Sequence, residues 1–244
     1  MKILTDLHIH TMASDHAYST IYENIIAAKD KGLELIAITD HAPAMEDASH
    51  EWHFAYLGII PNFYKGMKIL KGVELNILNK QGDVDLDEFT LKNKIDISIA
   101  SIHSILYNEK PGGDHTETWL NVIKNPNIDI LGHSGSPDYS YDIDKVVCAA
   151  RDAGKCIEIN SNTFNVRKKN AERCREIALA CKRLETPIVV NSDAHFMSLV
   201  GDFDNAVKML DEIDFPDDLI MNLNSQRLIK YIEEKKNKKF DFGE

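Results

Sequence analysis

Short apolar segments that alternate with helix-period segments constrain the fold of this chain more than any other sequence feature. Seven such segments are rich in Ile, Leu, Val or Ala and show little polar alternation. This pattern is typical of strands buried on both faces of a parallel sheet. It predicts strands over residues 3–8, 33–39, 67–75, 95–102, 129–133, 156–160 and 188–191.

Helix signals lie between these segments. Thr20 and Glu23 form a capping-box sequence before an apolar stripe that ends at Gly32. Similar stripes predict helices from about residue 171, over 203–213 and near 225–235. Strands that alternate with helices imply an α/β fold, a closed or nearly closed parallel (β/α)7 barrel. Any active site is then expected at the carboxyl ends of the strands.

Length and charge set limits on the kind of protein this is. The 244 residues suit one α/β barrel, which needs about 250 residues, and we expect a single domain over residues 1–244 with the last helix packed on the barrel. The net charge of −11 argues against nucleic acid as a partner.

Compartment signals are few. The sequence has no apolar run near the roughly 18 residues that span a membrane, no signal-peptide pattern and no C-x-x-C pair among its four cysteines. We therefore predict a cytoplasmic protein that contacts no membrane.

Histidines and carboxylates stand at the ends of six of the seven predicted strands. Because alternate residues of a strand point to the same side, His8 and His10 can approach one ion together, as can Asp193 and His195. The residues placed at this rim, including one in the first loop, are His8, His10, His16, Asp40, His41, Glu74, His103, His133, Asp193 and His195.

Taken singly, each of these residues has a structural explanation. His41 is consistent with a turn cap, Glu74 with a solvated strand end, and His133 with a core histidine. Taken together they are hard to explain without cations, because buried charge lacking a partner is costly. Imidazole suits Zn²⁺ and a carboxylate can bridge two cations. The set exceeds what one tetrahedral zinc can use, so several ions are predicted.

At these residues the chain resembles the PHP (polymerase and histidinol phosphatase) family of metal-dependent phosphoesterases. The family's four motifs correspond to DLHIH at residues 6–10, TDH at 39–41, His103, and SDAH at 192–195, with GVE at 72–74 and GH at 132–133 between them. Segments 16–20, 45–48, 52–54 and 214–216 further resemble the YcdX-like branch of these phosphatases.

The resemblance implies a distorted, TIM-like seven-stranded barrel that holds three zinc ions, with Mn²⁺ or Fe²⁺ as alternatives. It also implies a homo-oligomer, with a trimer as the suggested state. The implied ligands are His8, His10, Glu74 and Asp193 for the first ion, Glu74, His103 and His133 for the second, and His16, His41 and His195 for the third.

The implied activity is hydrolysis of phosphate monoesters by attack of a metal-bridging hydroxide at the trinuclear zinc centre. The expected partner is a small phosphorylated substrate. Glu74, Asp193 and His195 are the predicted catalytic residues. Arg167, after the sixth strand, is predicted to bind the substrate phosphate, with an exposed surface position beside Lys168 as the alternative.

Other roles stay open. Asp6 and Asp40 precede ligand histidines and are expected either to orient imidazole rings or to hold their turns. His50, His53 and His115 lie in longer loops after strands; shaping the substrate entrance and acting as general acid are both open for them, and the sequence assigns neither role.

Two other functions compete with the phosphatase. An amidohydrolase-like C–N hydrolase also begins with His-x-His, but such enzymes usually bridge their metals with a modified Lys on the fourth strand, which here ends in His103. The other is a non-catalytic metal-binding PHP module of the kind found inside polymerases. Within the favoured class, a histidinol-phosphate phosphatase and a 3′-exonuclease both remain open.

Overall fold

Seven parallel strands, each hydrogen-bonded to the next along the chain, form the centre of the molecule. The computed structural model describes residues 1–243. An eighth, short strand pairs antiparallel with one of the seven. The strands are β1 (Thr5–Asp6), β2 (Leu35–Ile38), β3 (Phe63–Tyr64), β4 (Met67–Asn76), β5 (Ile97–Ser101), β6 (Ile130–Leu131), β7 (Cys156–Asn160) and β8 (Ile188–Asn191).

The sheet closes on itself just beyond the first and last strands. Ile9 and Ala194 form a parallel bridge, in which the His10 N–H donates to Ala194 O at 2.9 Å and the Ala194 N–H donates to His8 O at 3.2 Å. The predicted α/β barrel is therefore confirmed. The chain segments after β1 and β8 meet at this bridge, and they contain the His-x-His and Asp-Ala-His motifs.

The first strand is shorter than the predicted 3–8 because side chains take over its backbone pairing. The Leu7 N–H donates to Asn191 Oδ1 at 3.1 Å, and the Ile9 N–H donates to Thr39 Oγ1 at 3.0 Å. Side-chain acceptors that replace ladder carbonyls satisfy these buried N–H groups but interrupt the regular pairing. This is the local origin of the barrel's irregularity.

Helices follow most of the strands, as the alternating pattern predicts. The capping box is present, because Thr20 Oγ1 accepts from the Glu23 N–H at 3.2 Å and Glu23 Oε2 accepts from the Thr20 N–H at 2.7 Å. The helices are α1 (Ile21–Asp30), α2 (Glu51–Tyr56), α3 (Glu88–Lys94), α4 (Thr116–Lys124), α5 (Ile143–Asp152), α6 (Thr163–Val166), α7 (Ala171–Leu184), α8 (Asp204–Glu212) and α9 (Ser225–Lys236).

Strand β3 was not predicted. It is the first arm of a hairpin with β4, and the two turn residues, Lys65 and Gly66, have φ values of 55° and 86°. Positive φ at both central residues is the requirement of a two-residue type I′ hairpin turn. The dipeptide Lys-Gly is a weak signal for that turn, since Asn-Gly or Asp-Gly is the usual sequence.

Helix α9 lies at the amino ends of the barrel strands. Its Leu228 and Ile232 pack with apolar side chains that fill the barrel interior, such as Leu35 and Ile130. Its Lys235 and Lys236 each place Nζ 2.9 Å from the buried carboxylate of Asp129, which directly precedes β6. This end of the barrel is filled by apolar side chains and these ion pairs, whereas the predicted metal ligands lie at the carboxyl ends of the strands.

Among residues 1–243, no helix has both the length and the apolar character needed to cross a membrane. All four cysteines are free thiols, and Cys174 and Cys181 are buried on α7, as expected for small core residues.

Candidate metal centre

Glu74 lies at the centre of the histidine cluster. It belongs to β4, which continues one residue past the predicted end. Its Oε2 lies 3.2 Å from His8 Nε2, 3.5 Å from His10 Nε2 and 2.9 Å from His41 Nδ1. Three imidazoles from the first two parallel strands therefore surround one carboxylate oxygen.

The other oxygen of Glu74 faces the next two strands. Its Oε1 lies 3.5 Å from His103 Nε2 and 3.0 Å from His133 Nε2. A single carboxylate thus separates two groups of imidazoles, with one oxygen toward each. This is the geometry that a bridging carboxylate requires.

Asp193 closes the cluster from the side of β8. Its Oδ1 lies 3.6 Å from His8 Nε2, 3.3 Å from His10 Nε2 and 3.5 Å from His195 Nδ1. His16 enters from the first loop, with its Nε2 3.3 Å from His41 Nε2. Residues separated by up to 187 positions in the chain meet here.

All nine predicted ligands are therefore brought together. Three groups have ligand atoms within 4.8 Å of one another: His8, His10 and Asp193; His41, Glu74 and His103; and His10, His41 and His195. These groups overlap the sets implied by the family resemblance without matching them one to one. His10 and His41 each belong to two of these groups, so the three groups overlap in space.

Two glycines let the strands deliver these residues. A Cβ on Gly132 would lie 2.2 Å from Ser101 Oγ and 2.6 Å from Ile99 Cγ2, and one on Gly72 would lie 2.5 Å from Thr39 Cγ2. Both are closer than side chains tolerate, so only glycine fits beside the neighbouring strand. Gly132 directly precedes His133, and Gly72 precedes Glu74 by two residues.

Burial controls the charge state of the cluster. Burial lowers the pKa of His10 to about 3 and that of His103 to about 4, so both rings are neutral near pH 7. Burial opposes ionisation of Glu74, but His8 and the other surrounding imidazoles hold its pKa well below the usual value. Despite burial, the neighbouring carboxylates raise the pKa values of His8 and His41, so these two rings have to release a proton when they bind a metal ion.

Several of these atoms have no hydrogen-bond partner. His8 Nε2 and both ring nitrogens of His10 are fully buried and form no hydrogen bond in the part of the chain that the structure describes. Unpaired buried polar atoms are costly and uncommon. A donor set of imidazole and carboxylate suits Zn²⁺ or a similar divalent ion, so the residues fit the predicted metal.

In three of the imidazoles, the ring nitrogen that faces away from the cluster contacts a polar side chain. His8 Nδ1 lies 2.7 Å from Glu158 Oε1, His103 Nδ1 lies 2.6 Å from Asn76 Oδ1, and His16 Nδ1 contacts Asp47. None of these three partners is among the site residues predicted from the sequence. The available signal was their type, because Glu158 is a charged residue inside an otherwise apolar strand.

Asp6 and Asp40 do not orient the predicted ligand rings. Asp6 accepts hydrogen bonds from the Ser192 N–H at 3.1 Å and the Gly201 N–H at 2.9 Å. Asp40 accepts from the Thr11 N–H at 2.7 Å and faces the ring of His53, which is not a predicted ligand. The turn-holding role is the one that these contacts support.

A cavity of 890 Å³ opens over the cluster. Its wall includes Arg167, Lys168 and Lys169, which follow α6, and Glu46 and Asp47 of the loop after β2. Arg167 Nη1 donates to Asp193 Oδ2 at 3.1 Å. The predicted phosphate-binding arginine thus reaches the cluster rather than lying free on the surface.

The three unassigned histidines do not line this cavity. His50 caps α2 by accepting from the Trp52 N–H, and His53 faces Asp40. His115 is buried, with its ring between Tyr107 Oη at 3.1 Å and Gly112 O at 3.0 Å. The contacts found for these three side chains are with helix ends, loops and neighbouring side chains outside the cavity wall.

Comparison with known proteins identifies the family. The PHP domain matches residues 6–162. A protein of Acetivibrio thermocellus named a probable phosphatase is 44% identical over 238 residues, 98% of both chains. Another, from Thermoanaerobacter sp. (strain X514), is 45% identical over 242 residues, again 98% of both chains.

A solved structure supports the fold. The crystal structure of histidinol phosphate phosphatase from Lactococcus lactis, complexed with zinc, L-histidinol and phosphate, superposes with a TM-score of 0.61 at 20% identity, covering 88% of this chain and 95% of that one. With near-complete alignment to relatives at more than 40% identity, this chain belongs to the PHP domain family.

Proposed function

We propose that this protein is a metal-dependent phosphatase that hydrolyses small phosphate monoesters at a trinuclear centre. The observation that carries the proposal is the convergence of nine predicted ligands, all but His16 buried or partly buried, with Glu74 at their centre and with imidazole nitrogens of His8 and His10 that form no hydrogen bond. Two further facts support it: the relatives named probable phosphatases, and the zinc and phosphate bound by the Lactococcus lactis protein.

The proposed ligands are those implied by the family. His8, His10, Glu74 and Asp193 would hold the first ion, Glu74, His103 and His133 the second, and His16, His41 and His195 the third. Divalent ions in such a site supply Lewis acidity, lower the pKa of water and offset phosphate charge. Zinc is the proposed metal, with Mn²⁺ or Fe²⁺ as alternatives.

The side chains of this protein supply the negative charge that holds the cations and an imidazole close to the substrate. Glu74 and Asp193 stay ionised, since neighbouring imidazoles hold both pKa values well below the usual range against burial. They therefore provide permanent negative charge for binding cations. His195 lies at the cavity side of the cluster with 22% of its side chain exposed, so it is the proposed catalytic imidazole nearest the substrate.

Arg167 is the proposed phosphate-binding residue. One of its terminal nitrogens donates to Asp193, while the side chain remains 32% exposed toward the cavity. Its other N–H groups can donate to two phosphate oxygens in the paired geometry that arginine favours. The positive wall formed by residues 167–169 provides local attraction for an anion in a chain whose net charge is −11.

The direct test is hydrolysis of p-nitrophenyl phosphate by the purified protein before chelation, after chelation and after zinc is restored. We expect activity that is lost with the metal and recovered with it. Glu74→Gln should abolish that activity, whereas Glu88→Gln, which changes an exposed glutamate on α3, should leave it intact.

The same preparations separate the competing functions. Metal-dependent hydrolysis of an amide in place of the phosphate ester would replace the phosphatase with a C–N hydrolase. Bound zinc without turnover of either substrate would favour a non-catalytic module. Light scattering on the same sample tests the proposed homo-oligomer, with a trimer as the state suggested by the family.

A further inference from the structure

Glu158 is the buried carboxylate of the cluster that the proposed ligand sets leave out. It lies in β7 and is only 2% exposed. Its Oε1 accepts from His8 Nδ1 at 2.7 Å and from Asn191 Nδ2 at 2.9 Å. Its Oε2 accepts from the His133 backbone N–H at 2.8 Å and from Asn160 Nδ2 at 3.3 Å.

These four contacts use the whole acceptor capacity of the side chain. A carboxylate offers about four lone-pair directions, and each is taken by a donor from the protein. Glu158 is therefore not available as a metal ligand, although it lies directly behind two residues that are. Its carboxylate connects its own strand with His8 after β1, His133 after β6 and Asn191 at the end of β8.

The contact with His8 determines which ring nitrogen faces the cluster. An ionised carboxylate only accepts hydrogen bonds, so Nδ1 of His8 carries the proton. Nε2 is then the nitrogen left for a cation, and it points toward Glu74 Oε2 at 3.2 Å and Asp193 Oδ1 at 3.6 Å and forms no hydrogen bond. Glu158 thereby holds His8 in the form that binds a cation.

The contact with His133 acts on the backbone. His133 has a φ of 20°, which is unusual for a residue other than glycine. Its N–H donates to Glu158 while its ring extends to Glu74 Oε1 at 3.0 Å. The hydrogen bond to Glu158 therefore stabilises the turn that aims the His133 ring at the second proposed ion.

We propose that Glu158 is a positioning residue that orients His8 and His133, and so supports the first and second ions but not the third. The hydrogen bonds of Glu158 involve none of His16, His41 and His195. This inference rests on the proposed trinuclear function, and it predicts a selective loss of two ions.

The test is zinc binding by the full-length protein, measured by equilibrium dialysis over a range of buffered free zinc. Glu158→Gln keeps the size of the side chain but replaces one oxygen with an NH₂ group, which opposes either the His8 or the His133 donor. We expect about 10- to 100-fold weaker binding of two ions, the usual effect of removing such a partner, with the third ion unchanged.

Asp129→Asn is the matched control. Asp129 is also a buried carboxylate at a strand end, 1% exposed, but it lies at the opposite end of the barrel and pairs with α9. The Asp129→Asn substitution should lower the free energy of unfolding without changing the affinity for zinc. Equal zinc binding by Glu158→Gln, Asp129→Asn and wild type would overturn the inference, as would uniform weakening of all three ions.

A second measurement needs no variant at the carboxylate. In zinc-loaded wild-type protein with ¹⁵N-labelled histidine, we expect a slowly exchanging Nδ1 proton on His8, assigned by its absence in His8→Gln. An unprotonated Nδ1 would overturn the inference even if Glu158→Gln does not fold. Wild-type protein that binds no zinc would instead overturn the proposed function itself, and this inference with it.

Discussion

Replacing Arg167 with alanine tests the link between the cavity and the reaction. In the folded chain this guanidinium donates one hydrogen bond to Asp193 and is otherwise directed to the cavity, with 32% of the side chain exposed. The substitution removes the donors proposed for the phosphate. It also removes one partner of a predicted metal ligand, so both effects need separate measurement.

The expected magnitude follows from the strength of charge-assisted hydrogen bonds. Each contributes about 1.5–3 kcal/mol, and each 1.4 kcal/mol is about a factor of ten in an equilibrium or rate. Because Arg167 is partly exposed, we expect each of its hydrogen bonds to contribute near the lower end of this range. We therefore expect kcat/KM for p-nitrophenyl phosphate to fall about 10- to 100-fold, mainly through KM if the contact is made equally in the bound and transition states.

The assay is steady-state kinetics on zinc-replete protein, with metal content measured on the same samples. Lys230→Ala, an exposed lysine on α9 far from the cavity, is the control and should match wild type. Wild-type kcat/KM in Arg167→Ala would refute the phosphate-binding role. A loss that merely tracks lost zinc would assign Arg167 to holding Asp193 instead.

Three further predictions concern stability. Gly132→Ala should destabilise the fold by about 1–3 kcal/mol in urea unfolding, because its Cβ would overlap Ser101, while Gly58→Ala, with open space around it, should not. Burial opposes ionisation of Asp129, but Lys236 and Lys235 hold its pKa below the usual value. Its contribution to the free energy of unfolding is therefore present above about pH 4 and is lost as pH falls through the lowered pKa. Asp129→Asn should flatten that part of the pH profile, and a profile unchanged from wild type would contradict this. Chelation should lower the Tm in thermal melts, because it removes about 2.7 kcal/mol of stabilisation for a site at which free zinc had been 100 times its Kd.

Much of the fold was predictable because it depends on local patterns. Apolar runs placed all seven parallel strands, and the runs at β7 and β8 matched the observed bounds. The capping box at Thr20 and the apolar stripe of α7 were also correct. Strand ends were less predictable, since the backbone pairing near β1 passes to the side chains of Asn191 and Thr39.

The barrel class and the polar rim could be inferred from residue types and their spacing along the chain, and the nine candidate ligands from the resemblance to the PHP family. That is because metal binding demands particular residues, and parallel strands bring their carboxyl ends to one edge. The polar contacts behind those ligands are different in kind. Glu158 and His8 are separated by 150 positions, and no local pattern joins them. Only the register of the closed barrel places β7 behind the histidines that follow β1, so that Glu158 accepts a hydrogen bond from His8. The same register directs Asp6 to the backbone of Ser192 and Gly201, where it holds a turn.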